Sequence, residues 1–221
     1  MEIHQPLNCP PNFFIIIGVI SKCSCGLKIS FFSGEPHHQV IILNILLFIF
    51  FYMIYKTEYN SPLGKLTLAS KDDKLIGLWI NGQKHFFGNF NEETIENDDL
   101  EIFEKTKRWL DSYFDGNNPS LSRLDLYFHG SDFRLKVWDL LKEIPYGEVV
   151  TYGDIAKKIS SNMSSQAVGG AVGHNPISII VPCHRVVGFN GKLTGYAGSL
   201  ENKVKLLKLE GVKIKDLKVI F

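Results

Sequence analysis

An apolar run at residues 40–55 decides first what kind of protein this chain can be. It reads VIILNILLFIFFYMIY, with Asn44 as its polar interruption. A helix needs about 20 apolar residues to cross a bilayer, so the run is short for a membrane span, although a thin or untilted span stays open. The run also lies too far from the N-terminus for a secretory signal, and no small-residue cleavage site follows it.

Three interpretations of residues 1–52 stay open: a membrane anchor, a buried hydrophobic element, or upstream sequence translated ahead of a true start at Met53. We favour the third, because globular patterning begins directly after Met53 and the first 52 residues carry only two basic and two acidic side chains. They are therefore treated as an extension outside the fold. A Cys-Ser-Cys motif at 23–25 and a His pair at 37–38 contain zinc-binding residue types, but their spacing is irregular for a zinc site.

Residues 53–128 predict an α/β domain. Apolar and polar residues alternate over 54–81 around a Ser-Pro-Leu-Gly turn at 61–64, which is typical of an antiparallel meander. Asp98 and Asp99 then have the side chains needed to cap the helix that follows. The front of the chain is therefore expected to be a sheet with a helix packed on it.

Residues 129–221 predict a mainly helical domain. Ser131 can cap a first helix, and Thr151 with Asp154 has the spacing of a capping box at the start of a second. A third helix opens after a short Ser/Asn-rich turn. Two short helices joined by a turn resemble a helix-turn-helix.

A final helix is predicted over about 200–210, and Gly211 follows at a position where helices commonly end. Leu200, Val204 and Leu207 fall on one face of it. Its lysines are assigned to a solvated face. They are Lys203, Lys205 and Lys208.

The third helix of this domain, which contains QAVGGAV at 166–172, is unusually rich in glycine. Each interior glycine costs about 1 kcal/mol relative to alanine, so something must offset that cost. Small residues allow a backbone to approach either another helix or a nucleic-acid groove, and periodicity does not choose between them. Charge favours the groove, because residues 130–221 carry thirteen Lys and Arg against eight Asp and Glu, whereas 1–129 carry eleven against fifteen.

Cys183 lies in the segment VPCHRV and is the single cysteine beyond residue 25. A lone cysteine cannot form a disulfide within its own domain, which indicates a reducing compartment, the cytoplasm. Neighbouring imidazole or cationic groups lower a thiol pKa, so His184 and Arg185 make a nucleophile plausible. A buried structural cysteine is the alternative.

Seven blocks resemble the O6-alkylguanine-DNA alkyltransferase family in order and spacing, and the resemblance covers about 54–221. The blocks are IPYGE at 144–148, TYGDIA at 151–156, AVGGA at 167–171, NP at 175–176, PCHRVV at 182–187, TGYAG at 194–198 and LEG at 209–211. The resemblance implies an α+β fold. Its front domain is α/β with a ribonuclease H-like antiparallel sheet, and its back domain is a winged helix-turn-helix-like DNA-binding domain that carries the active-site cysteine.

The resemblance also implies direct-reversal DNA repair. A methyl or small alkyl group passes irreversibly from O6 of guanine, with O4-methylthymine as an open second substrate, to Cys183, so each molecule acts once. It implies no cofactor and no metal. The expected partner is double-stranded DNA containing O6-alkylguanine, bound through its minor groove by a monomer, and a membrane is a partner only if residues 1–52 are genuine.

Five catalytic residues are implied by the resemblance. Cys183 attacks the alkyl carbon, His184 accepts the thiol proton through a water, and Glu210 holds the imidazole in orientation. Tyr152 crowds the target phosphate and donates its hydroxyl to guanine N3. Asn175 stabilises the turn ahead of the active-site loop.

The glycine-rich helix is implied to enter the minor groove beside a flipped-out nucleotide. The implied DNA contacts are Tyr152, Gln166, Ala167, Gly169, Gly170, Ala171 and Arg185. The implied pocket residues are Val186, Tyr196, Ala197 and Gly198, with the carbonyls of Cys183 and Val186 accepting from the guanine amine and the amide of Ala197 donating to the leaving base.

Two departures from the family and three other functions complete the predictions. Gln166 stands where the family commonly has an arginine that fills the space of the flipped base, which predicts looser DNA binding with the chemistry intact. Ser178 stands where some members have proline, which puts sensitivity to bulky benzyl inhibitors in doubt. Three other functions remain as alternatives. A non-catalytic alkyl-lesion-binding protein has this fold but replaces the cysteine, and a methyl-responsive transcription regulator needs a further sensor domain. A cysteine hydrolase would differ in turning over its substrate repeatedly.

Overall fold

The computed structural model describes residues 53–88, 90 and 93–220, together with the backbone of three short strands in the extension. These are β1 (Phe13–Ile16), β2 (Val19–Lys22) and β3 (Ile29–Ser30), in a sheet of order β2-β1-β3. Most of the apolar run and the cysteines and histidines of the extension lie outside the described residues. Of the helices that the structure describes, none is long and apolar enough to cross a membrane.

The front domain is built on a four-stranded sheet of order β6-β5-β4-β7. Its strands are β4 (Ile54–Ser61), β5 (Gly64–Lys71), β6 (Lys74–Ile80) and β7 (Thr94–Glu96). The first three form the predicted antiparallel meander, and β7 adds to β4 in parallel. Gly64 has φ +101°, a conformation that glycine adopts without steric cost, so it closes the turn between β4 and β5.

Helix α1 (Glu101–Phe114) packs on this sheet, but the predicted aspartate cap is wrong. Leu100 occupies the N-cap position and makes no side-chain cap bond. Asp98 instead accepts a hydrogen bond from the buried Thr57 hydroxyl of β4 and lies 3.9 Å from the Lys107 ammonium. The Asp98 carboxylate therefore bonds to strand β4 and is not available to cap α1.

The back domain begins after a short 3-10 turn at Leu121–Arg123 and has the predicted helical start signals. Helix α2 (Asp132–Lys142) is capped by Ser131, and α3 (Tyr152–Ile159) has the complete capping box. Helix α4 (Ser165–Gly173) is the glycine-rich helix, capped by Ser164. The Trp138 indole of α2 donates to the Ala171 carbonyl of α4 over 2.9 Å, which fixes the two helices together.

The active-site segment joins these helices to the end of the chain. It runs through a 3-10 turn at Cys183–Arg185 and β9 (Val186–Val187) to a second 3-10 turn at Phe189–Gly191 and α5 (Leu200–Leu209). A hairpin of β10 (Ile214–Lys215) and β11 (Lys218–Val219) follows. The face of α5 predicted to be apolar packs with this hairpin in one cluster.

A short parallel pair brings two parts of the site together. Strand β8 (Val150–Thr151) pairs with β9, with Val150 opposite Val186 and Thr151 opposite Val187. Since Thr151 is the cap of α3, this register places the start of α3 beside the segment that carries Cys183.

The two domains share a sheet edge and a core. The Leu78 amide of β6 donates to the Pro176 carbonyl over 2.9 Å, and the Ser178 amide donates back to the Leu78 carbonyl over 2.8 Å. One continuous apolar cluster extends from the front sheet to Val181 and Cys183. The mixed fold predicted from the sequence, a sheet domain followed by a helical domain, is confirmed.

Candidate active site

The loop that leads to Cys183 is held by the side chain of Asn175. Its Nδ2 donates to the carbonyls of Ile177 (3.2 Å) and Val181 (2.9 Å), while its Oδ1 accepts from the Ile177 amide at 3.1 Å. Ile179, which is buried, has φ +71°, an unfavourable conformation for a β-branched residue. The buried surroundings impose a loop shape that the backbone alone would not adopt.

Cys183 is 3% exposed, and its Sγ accepts a hydrogen bond of 3.1 Å from Asn175 Nδ2. Burial raises the pKa of this thiol, and the Asn175 bond and the nearby Lys203 only partly oppose that effect. The resting sulfur is therefore protonated, contrary to the lowering expected from its basic neighbours. A base must remove the proton when the thiol reacts.

His184, the residue after Cys183, is fully buried and pairs with Glu210. Its Nε2–H donates to Glu210 Oε1 over 2.8 Å, so the lone pair is on Nδ1, which is buried and has no hydrogen-bond partner among the described residues. Burial lowers the pKa of His184, while Glu210 opposes that shift. A neutral imidazole with an open acceptor nitrogen can take up a proton.

Glu210 follows the last turn of α5 and is the most heavily bonded carboxylate of the site. Although burial opposes ionisation, the hydrogen bonds from His184 and Arg185 lower its pKa to about 2. Oε2 accepts from the Gly147 amide at 3.2 Å and from Arg185 Nε at 2.8 Å. Gly147 has φ +77° and its missing Cβ would lie 2.9 Å from the Glu210 carbonyl, so glycine is required there.

Arg185 does not reach the surface on which it was expected to bind DNA. The residue is 8% exposed, its Nε and NH2 form a fork on Glu210, and its NH1 donates to the Ile144 carbonyl over 2.6 Å. Its guanidinium also lies 5.6 Å from the ring centroid of Tyr146. A planar guanidinium suits this two-point contact, so Arg185 anchors the carboxylate.

Lys203 was assigned to a solvated face, and this is wrong. It is fully buried, and its Nζ donates to the carbonyls of Val186 (2.6 Å) and Thr194 (3.1 Å). Burial lowers its pKa to about 8. The lysine holds the two segments that flank the pocket, because it satisfies a carbonyl on each of them.

The predicted DNA contacts divide into exposed and buried residues. Gln166, Ala167 and Gly170 are exposed along α4, and Gly169 packs against the Tyr152 ring, with 3.8 Å from its built Cβ position to the ring. A Cβ at Gly170 would meet no atom within 4 Å, so internal packing does not require glycine at that position. Ala171 is buried, and its carbonyl accepts from Trp138.

The predicted pocket residues lie on the segments that flank Cys183. The Val186 carbonyl accepts from Lys203, and the Cys183 carbonyl accepts from the Val186 amide. Each oxygen retains a second lone pair. A Cβ on Gly198 would lie 2.5 Å from Ile80 Cδ1, so glycine lets this segment pack on the front sheet.

Two aromatic hydroxyls and one amide segment complete the surroundings of the thiol. Tyr196 is half-buried with its hydroxyl buried, and burial, followed by the nearby Cys183, raises its pKa. Ala197 is half-buried, and its carbonyl accepts from the Lys84 amide over 3.0 Å. Burial raises the pKa of Tyr152, and the nearby Cys183 also raises it, so Tyr152 stays a neutral hydroxyl.

Sequence reasoning missed Lys203 and Tyr113 as members of the site. Lys203 lies three residues after Leu200 and one before Val204, so helical spacing already placed it on the apolar face. Tyr113 of α1 donates to Glu210 Oε1 over 2.6 Å from 97 residues away. Contacts at such a separation leave no local pattern in a single sequence.

Two family profiles match the two domains. Residues 54–128 match the ribonuclease-like domain of 6-O-methylguanine DNA methyltransferase. Residues 132–212 match the DNA binding domain of the same family. The described helix pair α3 and α4 and the site around Cys183 lie within the second match.

Curated relatives and solved structures agree with the profiles. The methylated-DNA--protein-cysteine methyltransferase of Methanosarcina acetivorans is 45% identical over 159 residues, covering 72% of this chain and 99% of that protein. That of Haemophilus influenzae is 39% identical and covers 74% and 89%. The Mycobacterium tuberculosis O6-methylguanine methyltransferase structure is 40% identical with a TM-score of 0.62 over 72% of this chain and 93% of its own. An OGT structure of the same organism in complex with DNA is 39% identical with a TM-score of 0.60, over 72% and 92%.

Matches across both domains, and 45% identity to a relative covered over nearly its whole length, show that this chain belongs to the 6-O-methylguanine DNA methyltransferase family.

Proposed function

We propose that this protein repairs DNA by transferring a methyl or small alkyl group from O6 of guanine to Cys183, once per molecule. The observation that carries the proposal is a buried thiol bonded to Asn175, followed in the chain by a buried, neutral imidazole that pairs with Glu210. Asn175 Nδ2 lies 3.1 Å from Sγ, and His184 keeps Nδ1 open while Glu210 holds Nε2 at 2.8 Å. This arrangement provides a nucleophile, a base and a group that orients the base.

The transfer begins when the thiol proton passes to His184 Nδ1 through a bridging water. Asn175 stabilises the sulfur anion by hydrogen bonding. The Sγ–carbon bond forms as the carbon–O6 bond breaks, and the electron pair of that bond leaves with guanine. The Tyr152 hydroxyl, bonded to guanine N3, meets the developing charge, and the Ala197 amide provides a second donor.

A thioether on Cys183 has no good leaving group, so the alkylated protein does not return to its active form. The protein acts as a stoichiometric reagent that uses neither cofactor nor metal. Guanine is selected by the carbonyls of Cys183 and Val186, each of which keeps a lone pair that can accept a hydrogen bond from the exocyclic amine. O4-methylthymine lacks that amine and is expected to react less readily.

The exposed side of α4 is the proposed minor-groove surface. Gln166, Ala167 and Gly170 are its exposed members, and the absence of any protein neighbour at Gly170 supports an external partner for this side. Ala171 and Arg185 are left out of the proposed contacts because both are buried. The target base is inside the duplex, so it must be flipped out, and DNA binding must offset a few kcal/mol of lost stacking.

Domain limits, compartment and assembly belong to the same proposal. The front domain spans 53–128, the DNA-binding domain spans 129–221, and the protein works as a monomer in the cytoplasm. Light scattering of the protein alone and with a duplex tests the monomer. A second, concentration-dependent species would contradict it.

The test of function is to incubate the protein with a duplex that contains O6-methylguanine and to weigh the peptide that contains Cys183. We expect one methyl group of added mass, restored guanine in the duplex, and neither change with the Cys183→Ala variant. A folded wild-type protein that leaves the lesion alkylated and the thiol unmodified would contradict the proposal. It would favour the non-catalytic alkyl-lesion-binding protein, whereas repeated turnover of an ester or amide would favour a hydrolase.

A further inference from the structure

The hydroxyl of Tyr113 reaches the His184–Glu210 pair from the other domain. Tyr113 lies at the C-terminal end of α1 and is 1% exposed. Its hydroxyl donates to Glu210 Oε1 over 2.6 Å and lies 3.4 Å from His184 Nε2. Its ring stacks on Trp109 at 5.4 Å between centroids and meets Tyr146 edge-on at 6.1 Å. The phenol is therefore held in place by its own packing.

Oxygen Oε1 of Glu210 is shared by three donors. His184 Nε2 lies 2.8 Å from it, Arg185 NH2 lies 3.0 Å from it, and the phenol is the closest at 2.6 Å. Each donor bonded to a carboxylate oxygen reduces the negative charge that the other donors experience. The phenol therefore competes with the imidazole for the same lone pairs.

We propose that Tyr113 is a positioning residue for the alkyl transfer, which weakens the hold of Glu210 on the His184 imidazole and so keeps that imidazole neutral and ready to accept the thiol proton. The inference rests on the proposed function of Cys183. It gives the front domain a part in the chemistry beyond support of the fold.

Several other groups surround the pair and do not change in the test. Arg185 forms the fork on Glu210, the Gly147 amide donates to the Oε2 oxygen, and Lys203 is close enough to interact electrostatically with both His184 and Cys183. Tyr146 lies under the Arg185 guanidinium, and Tyr196 faces Tyr113 and Cys183. Since all of these remain when the Tyr113 hydroxyl is removed, any change in pH dependence comes from that hydroxyl.

The Tyr113→Phe variant removes the hydroxyl and keeps the ring. Glu210 then acts on His184 with less of its charge compensated, which stabilises the imidazolium, so the imidazole pKa should rise by about one unit. The single-turnover rate of methyl transfer from an O6-methylguanine duplex, measured against pH, should have its acid limb shifted upward by about one pH unit. At pH values below the imidazole pKa, on the acid limb, the rate should fall about tenfold, and it should recover to the wild-type value at pH values above that limb.

Tyr59→Phe is the matched control. Tyr59 also donates to a carboxylate, that of Asp111 on the same helix at 2.7 Å, but this pair is exposed. Its removal should leave the pH profile unchanged. If Tyr113→Phe does not fold, 3-fluorotyrosine incorporated at position 113 makes the test with the opposite sign, because a more acidic phenol donates more strongly and should move the acid limb to lower pH.

The outcomes separate the two proposals. A wild-type protein that transfers no methyl contradicts the proposed function itself. A wild-type protein that transfers methyl, with variants whose rates are unchanged or are lowered by one factor at every pH, overturns the role of Tyr113. An acid limb that moves upward with Tyr113→Phe, or downward with the fluorinated residue, supports it.

Discussion

Replacing Glu210 with glutamine should be among the most destabilising single changes in the back domain. The carboxylate accepts the Arg185 fork at 2.8 and 3.0 Å, His184 at 2.8 Å and the Tyr113 hydroxyl at 2.6 Å. Glutamine keeps the volume but removes the charge and turns one acceptor into a donor. It leaves a buried guanidinium without a counter-ion, and breaking a buried pair in this way costs about 3–5 kcal/mol.

That cost is large against the roughly 5–15 kcal/mol that stabilises a typical protein of this kind. Urea unfolding followed by tryptophan fluorescence measures it, because Trp79, Trp109 and Trp138 are all buried. Glu201→Gln is the control, since Glu201 lies in α5, the helix whose C-cap is Glu210, and pairs with Lys205 at 2.8 Å on the exposed side. The control should be indistinguishable from wild type.

The pH dependence gives a second, independent measure. Because the pKa of Glu210 in the folded protein is about 2 against an ordinary 4.5, its contribution is fully present above about pH 4.5. It is lost as the pH falls from about 4.5 to about 2, so the stability gap between wild type and Glu210→Gln should narrow over that window. A Glu210→Gln variant as stable as the control at neutral pH, or a gap that does not change on acidification, would refute this reasoning.

Three further predictions concern Lys203 and the exposed side of α4. The pKa of Lys203 is lowered to about 8 from an ordinary 10.5, so between these pH values the unfolded chain binds a proton that the folded protein does not. The stability of wild type relative to Lys203→Met should therefore rise from about pH 8 to about pH 10.5. A difference in urea midpoints that does not change with pH would contradict this. Gly170→Ala should stabilise the protein by about 1 kcal/mol, because the added Cβ has no neighbouring atom within 4 Å and alanine favours the helix. Gly170→Leu should remain folded but lose most of its affinity for duplex DNA in an anisotropy titration. Unaltered affinity would show that the DNA binds elsewhere. Gln166→Arg should tighten duplex binding and steepen its salt dependence, and equal affinity and repair rate would show that the glutamine costs nothing.

Local signals in the sequence predicted local structure well. The serine cap of α2, the capping box of α3 and the positive-φ glycine after α5 are all present as expected, because a cap or a turn is set by residues within four positions of each other. The predicted cap at Asp98 is wrong because the partner of this carboxylate is not local. Its partner Thr57 is 41 residues away and outcompetes the helix end for the carboxylate.

The site could be predicted only as far as its motif extends. The segment around Cys183 and the resemblance located the thiol, imidazole and carboxylate together, and the structure brings His184 and Glu210 into contact. The sequence could not predict the direction in which Arg185 points, since that depends on Glu210 and on the Ile144 carbonyl, each provided by a different element. Nor could it reveal that burial raises rather than lowers the thiol pKa, because burial is a property of the whole fold.

The backbone pairing between β6 and residues 176–178 has a consequence for the integrity of the chain. Strand β6 is an edge of the front sheet; residues 125–127 pair with its first part at Leu75, and the active-site loop pairs with its second part at Leu78. A cut in the connection near residues 129–131 would leave one fragment with the Leu78 part of its edge strand unpaired, and the other with a loop that has lost the strand it pairs with. The two fragments should therefore recognise each other and reconstitute repair when mixed, with a yield that depends on the concentration of both, while each one alone is prone to aggregate.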